Sequence, residues 1–351
     1  MKTLRCLCLL LSTVCLLAGS STVRAAEETK ALPEEEMQYL EVKNPVFIKA
    51  NDPWVTKHDG NYYYCFSDSA NGISVKKISD LTKITTMGAT QVWSPPADTE
   101  YSKELWAPEL HYIDGSWYIY VAASNGENET HRMHVLKGTS QDPTQPFEYA
   151  GKISDESDCW AIDGTPFCMN GEWYFVWSGW EADVNVSQQL YIAHMDSPTS
   201  IDSPRVCISK PDLDWEKIGL PIEEGPEILM DEGKDGIFLV FSASGSWTDD
   251  YCMGMLTLEG EDPMLPESWK KGDAPVLSKK EGAYGPGHGS FVKADDDSWW
   301  IVYHCNQKSG SGWSGRSCWI QPFTWEEEMP YFGEPVTSDT VLSLPVMTKN
   351  N

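Results

Sequence analysis

The stretch Pro221-Ile-Glu-Glu-Gly-Pro-Glu-Ile-Leu-Met230 is an acidic turn that runs into a short apolar segment, and a second, aromatic segment, Gly236 to Ser242, follows it. The same succession of acidic or prolyl turn, strand, turn and aromatic strand occurs five times. Its equivalent places are spaced by 55, 58, 60 and 63 residues and are marked by Pro53, Pro108, Pro166, Pro226 and Gly289. A repeat of this length made of short strands is typical of radial all-β architectures. The sequence therefore predicts an all-β fold, a single-domain five-bladed β-propeller with about four strands in each blade.

The N-terminal region has the pattern of a secretory signal peptide over residues 1–25. A basic start, Met1 to Arg5, precedes an apolar run, Cys6 to Leu17, and a small-residue exit ends at Ala25. Residues 26–40 are acidic and lack periodicity, which predicts an acidic linker, and residues 41–351 form the predicted propeller domain. We expect a secreted, extracellular protein with no membrane association after signal cleavage; an uncleaved anchor is the alternative.

The charge balance excludes several classes of partner. The chain has 26 basic and 53 acidic residues, and the predicted signal holds three of the basic residues and no acidic one, which leaves a net charge of −30. Such a field repels nucleic acid and anionic membranes and favours a monomer. Sixteen Trp and fifteen Tyr supply blade cores and also flat apolar faces on which sugar rings stack.

Seven cysteines follow the predicted signal, so at least one thiol is free or pairs between chains. Cys305 and Cys318 fall on two strands predicted to be adjacent and are the one candidate disulfide. The alternative is that these residues are buried, unpaired cysteines that act as small hydrophobes. The sequence has no CxxC motif and no Cys/His spacing of a zinc site.

The repeat starts carry the candidate chemistry. In a propeller the first strand of each blade lines the central channel, so the starts of these strands converge on the axis. The residues at those starts are Asp52, Glu109, Asp163, Glu224 and His288. Carboxylates held this close raise each other's pKa, so a fold seldom keeps such a ring of acids for stability. The alternative is that these residues are turn-forming acids that face water. Paired carboxylates beside a neutral sugar suit glycoside hydrolysis, with one protonated and one ionised. The sequence lacks the GxSxG, HExxH and GxxxxGK[ST] motifs of other chemistries.

A set of motifs carries a resemblance to a known family. In chain order they are Asn51-Asp-Pro-Trp54, Glu104-Leu-Trp-Ala-Pro-Glu-Leu-His111, Ala161-Ile-Asp-Gly164, Glu223-Glu-Gly-Pro-Glu227 and Tyr284-Gly-Pro-Gly-His-Gly-Ser-Phe291. Together they resemble glycoside hydrolase family 43, over roughly residues 41–340. The resemblance implies a five-bladed propeller and an inverting glycosidase.

The resemblance also implies roles for the acids. Asp52 matches the general base that activates water, Glu224 matches the general acid, and Asp163 matches a third acid that raises the pKa of the general acid and orients it. Inversion implies that the two catalytic carboxyl groups stand about 6.5–9.5 Å apart, leaving room for a water.

Other residues are matched to substrate and ion binding. Trp106 is expected to wall the sugar pocket, although blade core is the alternative for it, and Trp54 and Glu109 are also expected to bind substrate. Arg316 matches an arginine near the third acid and the sugar. His288 matches an axial histidine near a central Ca²⁺ or Na⁺, held through waters; Gly289 stands where many relatives have Asn, which weakens that inference. No cofactor is expected to be required.

The substrate class follows from the resemblance alone. Segments such as Trp177-Ser-Gly-Trp180 and Ser242-Ala-Ser-Gly-Ser-Trp247 are similar to exo-acting α-L-arabinofuranosidases of the family. The expected partner is a neutral plant cell-wall polysaccharide or oligosaccharide, arabinan or arabinoxylan. A β-xylosidase and an endo-1,5-α-L-arabinanase are alternatives on the same scaffold, and a non-catalytic carbohydrate-binding propeller is a further one.

Overall fold

The computed structural model describes residues 35–68 and 71–349. The predicted signal peptide, residues 1–25, lies outside the described residues. The first strands of the described residues are β1 (Glu35–Val42) and β2 (Phe47–Ile48). The predicted linker, residues 26–40, is therefore wrong at its end, because residues 35–40 belong to β1. Leu40 on that strand packs against a buried apolar cluster, and this contact draws the segment onto the domain.

The first four blades are antiparallel sheets built from consecutive strands. Blade 1 consists of β3 (Trp54–His58), β4 (Asn61–Asp68), β5 (Gly72–Ile78) and β6 (Thr90–Trp93). Blade 2 consists of β7 (Lys103–Ile113), β8 (Ser116–Ser124), β9 (Arg132–Gly138) and β10 (Phe147–Ile153). Blade 3 consists of β11 (Ala161–Met169), β12 (Glu172–Gly179), β13 (Gln189–Ser197), β14 (Ser200–Ile201) and β15 (Val206–Ser209), the last two both paired with β13. Blade 4 consists of β16 (Glu223–Met230), β17 (Ile237–Ala243), β18 (Cys252–Leu258) and β19 (Trp269–Lys271).

The fifth blade joins the two ends of the domain. It consists of β20 (Tyr284–Lys293), β21 (Trp299–Asn306) and β22 (Ser317–Pro322), and its outer strand is β2 from the N-terminal region. Outside the blades, β23 (Thr324–Glu326) and β24 (Met329–Tyr331) form a hairpin, and β25 (Leu342–Lys349) pairs with β1. The predicted all-β, five-bladed propeller is confirmed.

Helical structure is confined to short turns. The described residues contain 3-10 turns and no α-helix; the turns are Leu81–Lys83, Asn128–Thr130, Asp214–Glu216, Pro266–Ser268 and Gly312–Gly315. Over the part of the chain that the structure describes, no helix has the length and apolar character needed to cross a membrane.

Five buried apolar clusters lie between neighbouring blades, one at each interface. The cluster between blades 1 and 5, for example, packs Tyr64 against Trp300 and Ile320. The aromatic and apolar side chains of the second strands supply much of this packing. Successive side chains point to opposite faces of the sheet, and one face contacts the blade before it and the other the blade after it.

The inner strands share a local distortion. In blades 2 to 5, two residues of the inner strand stand opposite one residue of its neighbour, which defines a β-bulge at the same phase each time. The pairs at this phase are Ala107–Pro108, Asp163–Gly164, Gly225–Pro226 and His288–Gly289, and Asp52–Pro53 stands at the same place before β3. The first member of each pair has a left-handed φ between 42° and 53°. Proline suits the second place because a bulged residue need not donate to the ladder. Pro166, which marks the third repeat in the sequence analysis, is therefore the wrong residue for that place. Gly164 is the equivalent residue of the third blade.

The predicted Cys305–Cys318 disulfide is wrong. Both thiols are free, as are the other cysteines of the described residues. The two strands are adjacent as predicted, but Cys305 pairs with Ser317 and His304 pairs with Cys318. The two sulfur atoms therefore point to opposite faces of the sheet, and they pack in different interblade clusters.

Candidate active site

A pocket of about 300 Å³ opens on the axis at the end of the ring where the inner strands begin. It is lined by Asn51, Asp52, Trp106, Ile162, Asp163, Glu224, Ser246, His288, Trp313 and Arg316. Six of the residues singled out from sequence thus meet in one place. The inner strands explain most of this convergence, because each begins at this end of the axis and carries one of these residues at its left-handed position or one place before it.

Asp52 is held as a carboxylate by basic neighbours. Its Oδ1 lies 3.2 Å from His288 Nδ1, 3.2 Å from Arg316 Nη1 and 3.3 Å from His304 Nδ1. Burial alone would raise the pKa of Asp52, but His288, Arg316 and His304 outweigh it and hold the pKa well below its usual range. The resemblance placed Arg316 near Asp163; in the structure its ion pair is made with Asp52.

Glu224 has the opposite environment. Its side chain is buried, Tyr251 donates a hydrogen bond to its Oε1 at 2.8 Å, and Gln188 donates to its Oε2 at 3.3 Å. Burial raises the pKa of Glu224, although the Tyr251 hydrogen bond and His288 lower it in part. A carboxyl group with a raised pKa is suited to carry a proton near neutral pH.

Asp163 connects these two groups. Its Oδ2 accepts a hydrogen bond from the backbone N–H of Gly225 at 3.0 Å and lies 3.9 Å from His288 Nδ1. Burial is the main cause that raises its pKa to about 7, and the neighbouring Glu224 adds to it. Because Gly225 follows Glu224 directly, this hydrogen bond fixes the backbone that carries the Glu224 side chain.

Trp106 forms a wall of the pocket. Its side chain is partly exposed, and its ring stacks on His131 with centroids 3.8 Å apart. His131 is fully buried and contacts the backbone carbonyl of Asn128 through Nδ1 at 2.9 Å. The indole is therefore held rigidly with one face available, and the alternative of blade core does not describe it.

Trp54 and Glu109 lie below this pocket, not in it. Both come two residues after the left-handed position of their blade, so they form a second layer deeper in the channel. Trp54 donates its indole N–H to Leu110 O at 3.0 Å, and Glu109 Oε2 lies 2.9 Å from His111 Nε2. They border an axial cavity of about 10 Å³. Trp54 and Glu109 do not line the larger pocket, and their predicted contacts with substrate stay a prediction.

The second layer also contains Glu227, which accepts a 3.4 Å hydrogen bond from Thr165. Burial raises the pKa of both Glu109 and Glu227 well above the usual range, and for Glu109 the proximity of Glu227 adds to this. Carboxylate oxygens are common ligands of hard cations such as Ca²⁺ and Na⁺. Within residues 35–68 and 71–349, however, no three His, Cys, Asp or Glu side chains converge as metal ligands. An axial ion near His288 would therefore take most of its ligands from water, and it stays a prediction.

Several residues of the site were missed from sequence. Gln188 and Tyr251 are hydrogen-bonded to Glu224, and His304 contacts Asp52. Trp313 lines the pocket from a turn that belongs to none of the repeat motifs. His304 lies in the aromatic strand of the last repeat, β21, so the repeat pattern indicates its position but not its role. Gln188, Tyr251 and Trp313 lie in or beside connections between strands, where the repeat pattern gives no phase.

Comparison with known proteins addresses the family. The model of Glycosyl hydrolases family 43 matches residues 42–330. The chain belongs to glycosyl hydrolase family 43. The predicted resemblance is thereby confirmed. All residues that line the pocket described above lie within the matched range.

Individual relatives of this family 43 chain include named arabinofuranosidases. It is 34% identical over 84% of its length to alpha-L-arabinofuranosidase 43 of Humicola insolens, and 35% identical over 84% of its length to an extracellular exo-alpha-(1->5)-L-arabinofuranosidase of Streptomyces avermitilis. It spans 63% of the length of each of these two relatives. The structure of an alpha-L-arabinofuranosidase from Lactobacillus brevis is 33% identical, with a TM-score of 0.78 over 85% of this chain and 98% of that one.

Proposed function

We propose that this protein is a secreted, inverting, exo-acting α-L-arabinofuranosidase that releases terminal arabinofuranose from arabinan or arabino-oligosaccharides. The observation that carries the proposal is the contrast between two carboxyl groups on one pocket. The pKa of Asp52 is lowered by His288 and Arg316, whereas burial raises the pKa of Glu224. Environments that separate two carboxyl groups in this way suit one to act as base and the other as acid.

The proposed reaction is a single displacement. Asp52 removes a proton from a water, whose oxygen forms a bond to the anomeric carbon of the terminal sugar. The bond from that carbon to the glycosidic oxygen breaks, and Glu224 donates its proton to the departing oxygen. Because water enters on the face opposite the leaving group, the anomeric configuration inverts. Asp163 acts on Glu224 through Gly225 and through its charge.

The shape of the pocket supports removal of a terminal sugar. At about 300 Å³ it is at the small end of ligand pockets and suits one sugar unit. Its floor is closed by the layer that contains Trp54 and Glu109, and Trp106 offers a flat apolar wall. A sugar face stacks well on such an indole.

The relatives support the choice of sugar and compartment. The Streptomyces avermitilis relative is named an extracellular exo-alpha-(1->5)-L-arabinofuranosidase, and the structural relative from Lactobacillus brevis is named an alpha-L-arabinofuranosidase. A neutral substrate also suits a chain with 53 acidic and 26 basic residues.

Two substitutions test the roles. Glu224→Gln should lower kcat/KM on arabino-oligosaccharides by about 10³-fold, and much less on 4-nitrophenyl arabinofuranoside, whose leaving group needs little protonation. Asp52→Asn should lower both by about 10³-fold, because every substrate needs an activated water.

The matched control is Glu109→Gln, a change in a buried carboxyl group one layer below. It should keep activity within about threefold, since a carboxyl group with a raised pKa is already neutral and the amide preserves its shape. Equal losses on both substrates for Glu224→Gln and Asp52→Asn would refute the assigned roles. A wild-type protein that binds arabinan without cleaving it would refute the enzyme.

A further inference from the structure

Exposed apolar side chains lie close together beside the pocket, where blades 4 and 5 meet. Trp313 is 59% exposed and lines the pocket, and Trp247, in the loop between β17 and β18, is 39% exposed. Ile218 and Leu220, in the connection that leads into β16, are each 42% exposed. We call these four residues the apolar platform. All four belong to segments at the end of the ring where β16 and β20 begin, which is the end that holds the pocket.

The members of the platform are held together by bonds between loops. The rings of Trp247 and Trp313 meet edge to face, with centroids 5.8 Å apart. Gly245 donates its N–H to the carbonyl of Ile218 at 2.7 Å, which ties the Trp247 loop to the segment that carries Ile218 and Leu220. These contacts join the loops of blades 4 and 5 that carry the four residues.

Two further bonds fix Trp313 relative to the reacting groups. Trp313 Nε1 donates to Ser246 Oγ at 3.1 Å, and Arg316, the partner of Asp52, donates from Nη2 to Ser246 O at 3.1 Å. In addition, Asp249 accepts a 2.8 Å hydrogen bond from Gly310 N, which joins the two loops at their base. An exposed tryptophan with this many constraints is pre-organised for a partner, because the ordering entropy is already lost.

The position of the platform relative to Glu224 suggests what binds there. The acid must protonate the oxygen that leaves, so the rest of the substrate chain leaves the pocket on the side of Glu224. Glu224 starts β16, whose preceding segment carries Ile218 and Leu220, and it is hydrogen-bonded to Tyr251, which ends the loop of Trp247. The platform therefore lies on the leaving-group side of the pocket.

We propose that the apolar platform binds the sugar units that follow the cleaved bond, so that the enzyme prefers chains of three or more neutral sugars to disaccharides. This inference rests on the proposed function and adds the class of substrate, a chain that extends beyond the pocket. Trp313, at the pocket, contacts the first sugar after the cleaved bond, and Trp247, farther out, contacts the next sugars. Aromatic rings provide such contacts without charge, which suits a neutral chain.

The test is kcat/KM for linear α-1,5-arabino-oligosaccharides of two to five units, with wild type, Trp247→Ala and Trp313→Ala. For Trp247→Ala the ratio of pentasaccharide to disaccharide kcat/KM should fall about tenfold, which corresponds to about 1.4 kcal/mol. Trp313→Ala should lower kcat/KM for all chain lengths alike. Tyr331→Ala is the matched control, because Tyr331 is 55% exposed on the β23–β24 hairpin at the other end of the ring, and it should leave the ratio unchanged.

The outcomes separate this inference from the proposed function. A wild type that cleaves the disaccharide supports the proposed function whatever the variants do. An unchanged chain-length ratio in Trp247→Ala, with the folded state verified by circular dichroism, would overturn the platform. Size-exclusion chromatography with light scattering covers a different occupant: if wild type is a dimer and Trp247→Ala a monomer, the platform binds a second copy of this chain, and the inference is wrong.

Discussion

Tyr251 links the two sides of the catalytic pocket. Its hydroxyl donates to Glu224 at 2.8 Å, and its ring stacks on His304 with centroids 5.5 Å apart and planes within 6°. His304 in turn contacts Asp52. Burial lowers the pKa of His304 to about 3, so this imidazole is neutral and lowers the pKa of Asp52 through its close Nδ1 contact. One residue thus positions the proposed acid and supports the group that packs against the proposed base.

The hydrogen bond from Tyr251 gives a prediction for the pH profile. It favours the ionised form of Glu224 and so lowers a pKa that burial raises. Tyr251→Phe removes it, and the pKa of Glu224 should rise. Since the proposed acid is active when protonated, the alkaline limb of kcat/KM should move to higher pH by about one unit, as expected for a hydrogen bond to a charged group of about 1.5 kcal/mol.

The matched control is Tyr303→Phe. Tyr303 is also fully buried, but its hydroxyl donates to Gln321 at 2.8 Å, a neutral amide on β22. The pH profile of this variant should coincide with that of wild type. A Tyr251→Phe profile whose alkaline limb stays in place or moves to lower pH would contradict the assignment of Glu224 as the acid.

At the scale of single residues, the repeat phase predicted Asp52, Asp163, Glu224 and His288 correctly as members of one pocket. It misplaced Glu109 because the bulge separates two layers within three residues: Glu224 precedes the left-handed residue of its blade, whereas Glu109 follows it. A sequence pattern does not show on which side of a bulge an acid lies. Tyr251 was missed because it precedes β18, a strand that does not line the axis.

At the scale of an element, buried ion pairs hold strand β16 on the face opposite Glu224. Glu223 precedes Glu224 and points to the other face of the sheet, since neighbouring residues on a strand alternate faces. Its Oε1 lies 2.6 Å from Lys271 Nζ, which also lies 2.9 Å from Glu216 Oε1. Both glutamate side chains are fully buried, and Ser178 donates a 2.7 Å hydrogen bond to the backbone carbonyl of Glu223. These bonds hold the start of β16, and with it the Glu224 backbone.

Removal of that lysine should therefore destabilise the protein strongly. Lys271→Met leaves two buried carboxyl groups without their cation and should lower the free energy of unfolding by about 3 kcal/mol or more, as measured by denaturant titration at neutral pH. Lys270→Met is the control: Lys270 is 70% exposed, its pair with Glu259 is on the surface, and its loss should change stability by less than about 1 kcal/mol. A similar stability for both variants would show that the buried network does not anchor β16.

The strands that form the blades were predictable, but the strands that join the ends were not. Many blade strands contain a continuous run of aromatic and apolar residues between turn signals, as in β4 and β12. Strand β2 has two residues, too few to show a period, and its partner β22 lies at the other end of the chain. The first part of β1 falls within the predicted linker because residues 26–40 as a whole are acidic and lack periodicity, and only its pairing with β25 shows its role.

At the scale of the whole molecule, the ring explains why distant residues form one site. Asp52 belongs to the first blade, Asp163 to the third, Glu224 to the fourth and Arg316 to the fifth, and all four line the same pocket. The sequence predicted the number of blades because the period is regular. It did not predict the depth of the pocket or the apolar platform, since both are made by connections of irregular length.

The central claim is that Asp52 and Glu224 catalyse inversion at a terminal sugar, and proton NMR of linear α-1,5-arabino-oligosaccharides during hydrolysis tests it most directly. The account predicts that arabinose is the first product and that it appears as the β-anomer, before mutarotation produces the α-anomer. Release of the α-anomer first would contradict the roles of both carboxyl groups. Early products longer than arabinose, with inverted configuration, would keep those roles and contradict the exo-acting pocket.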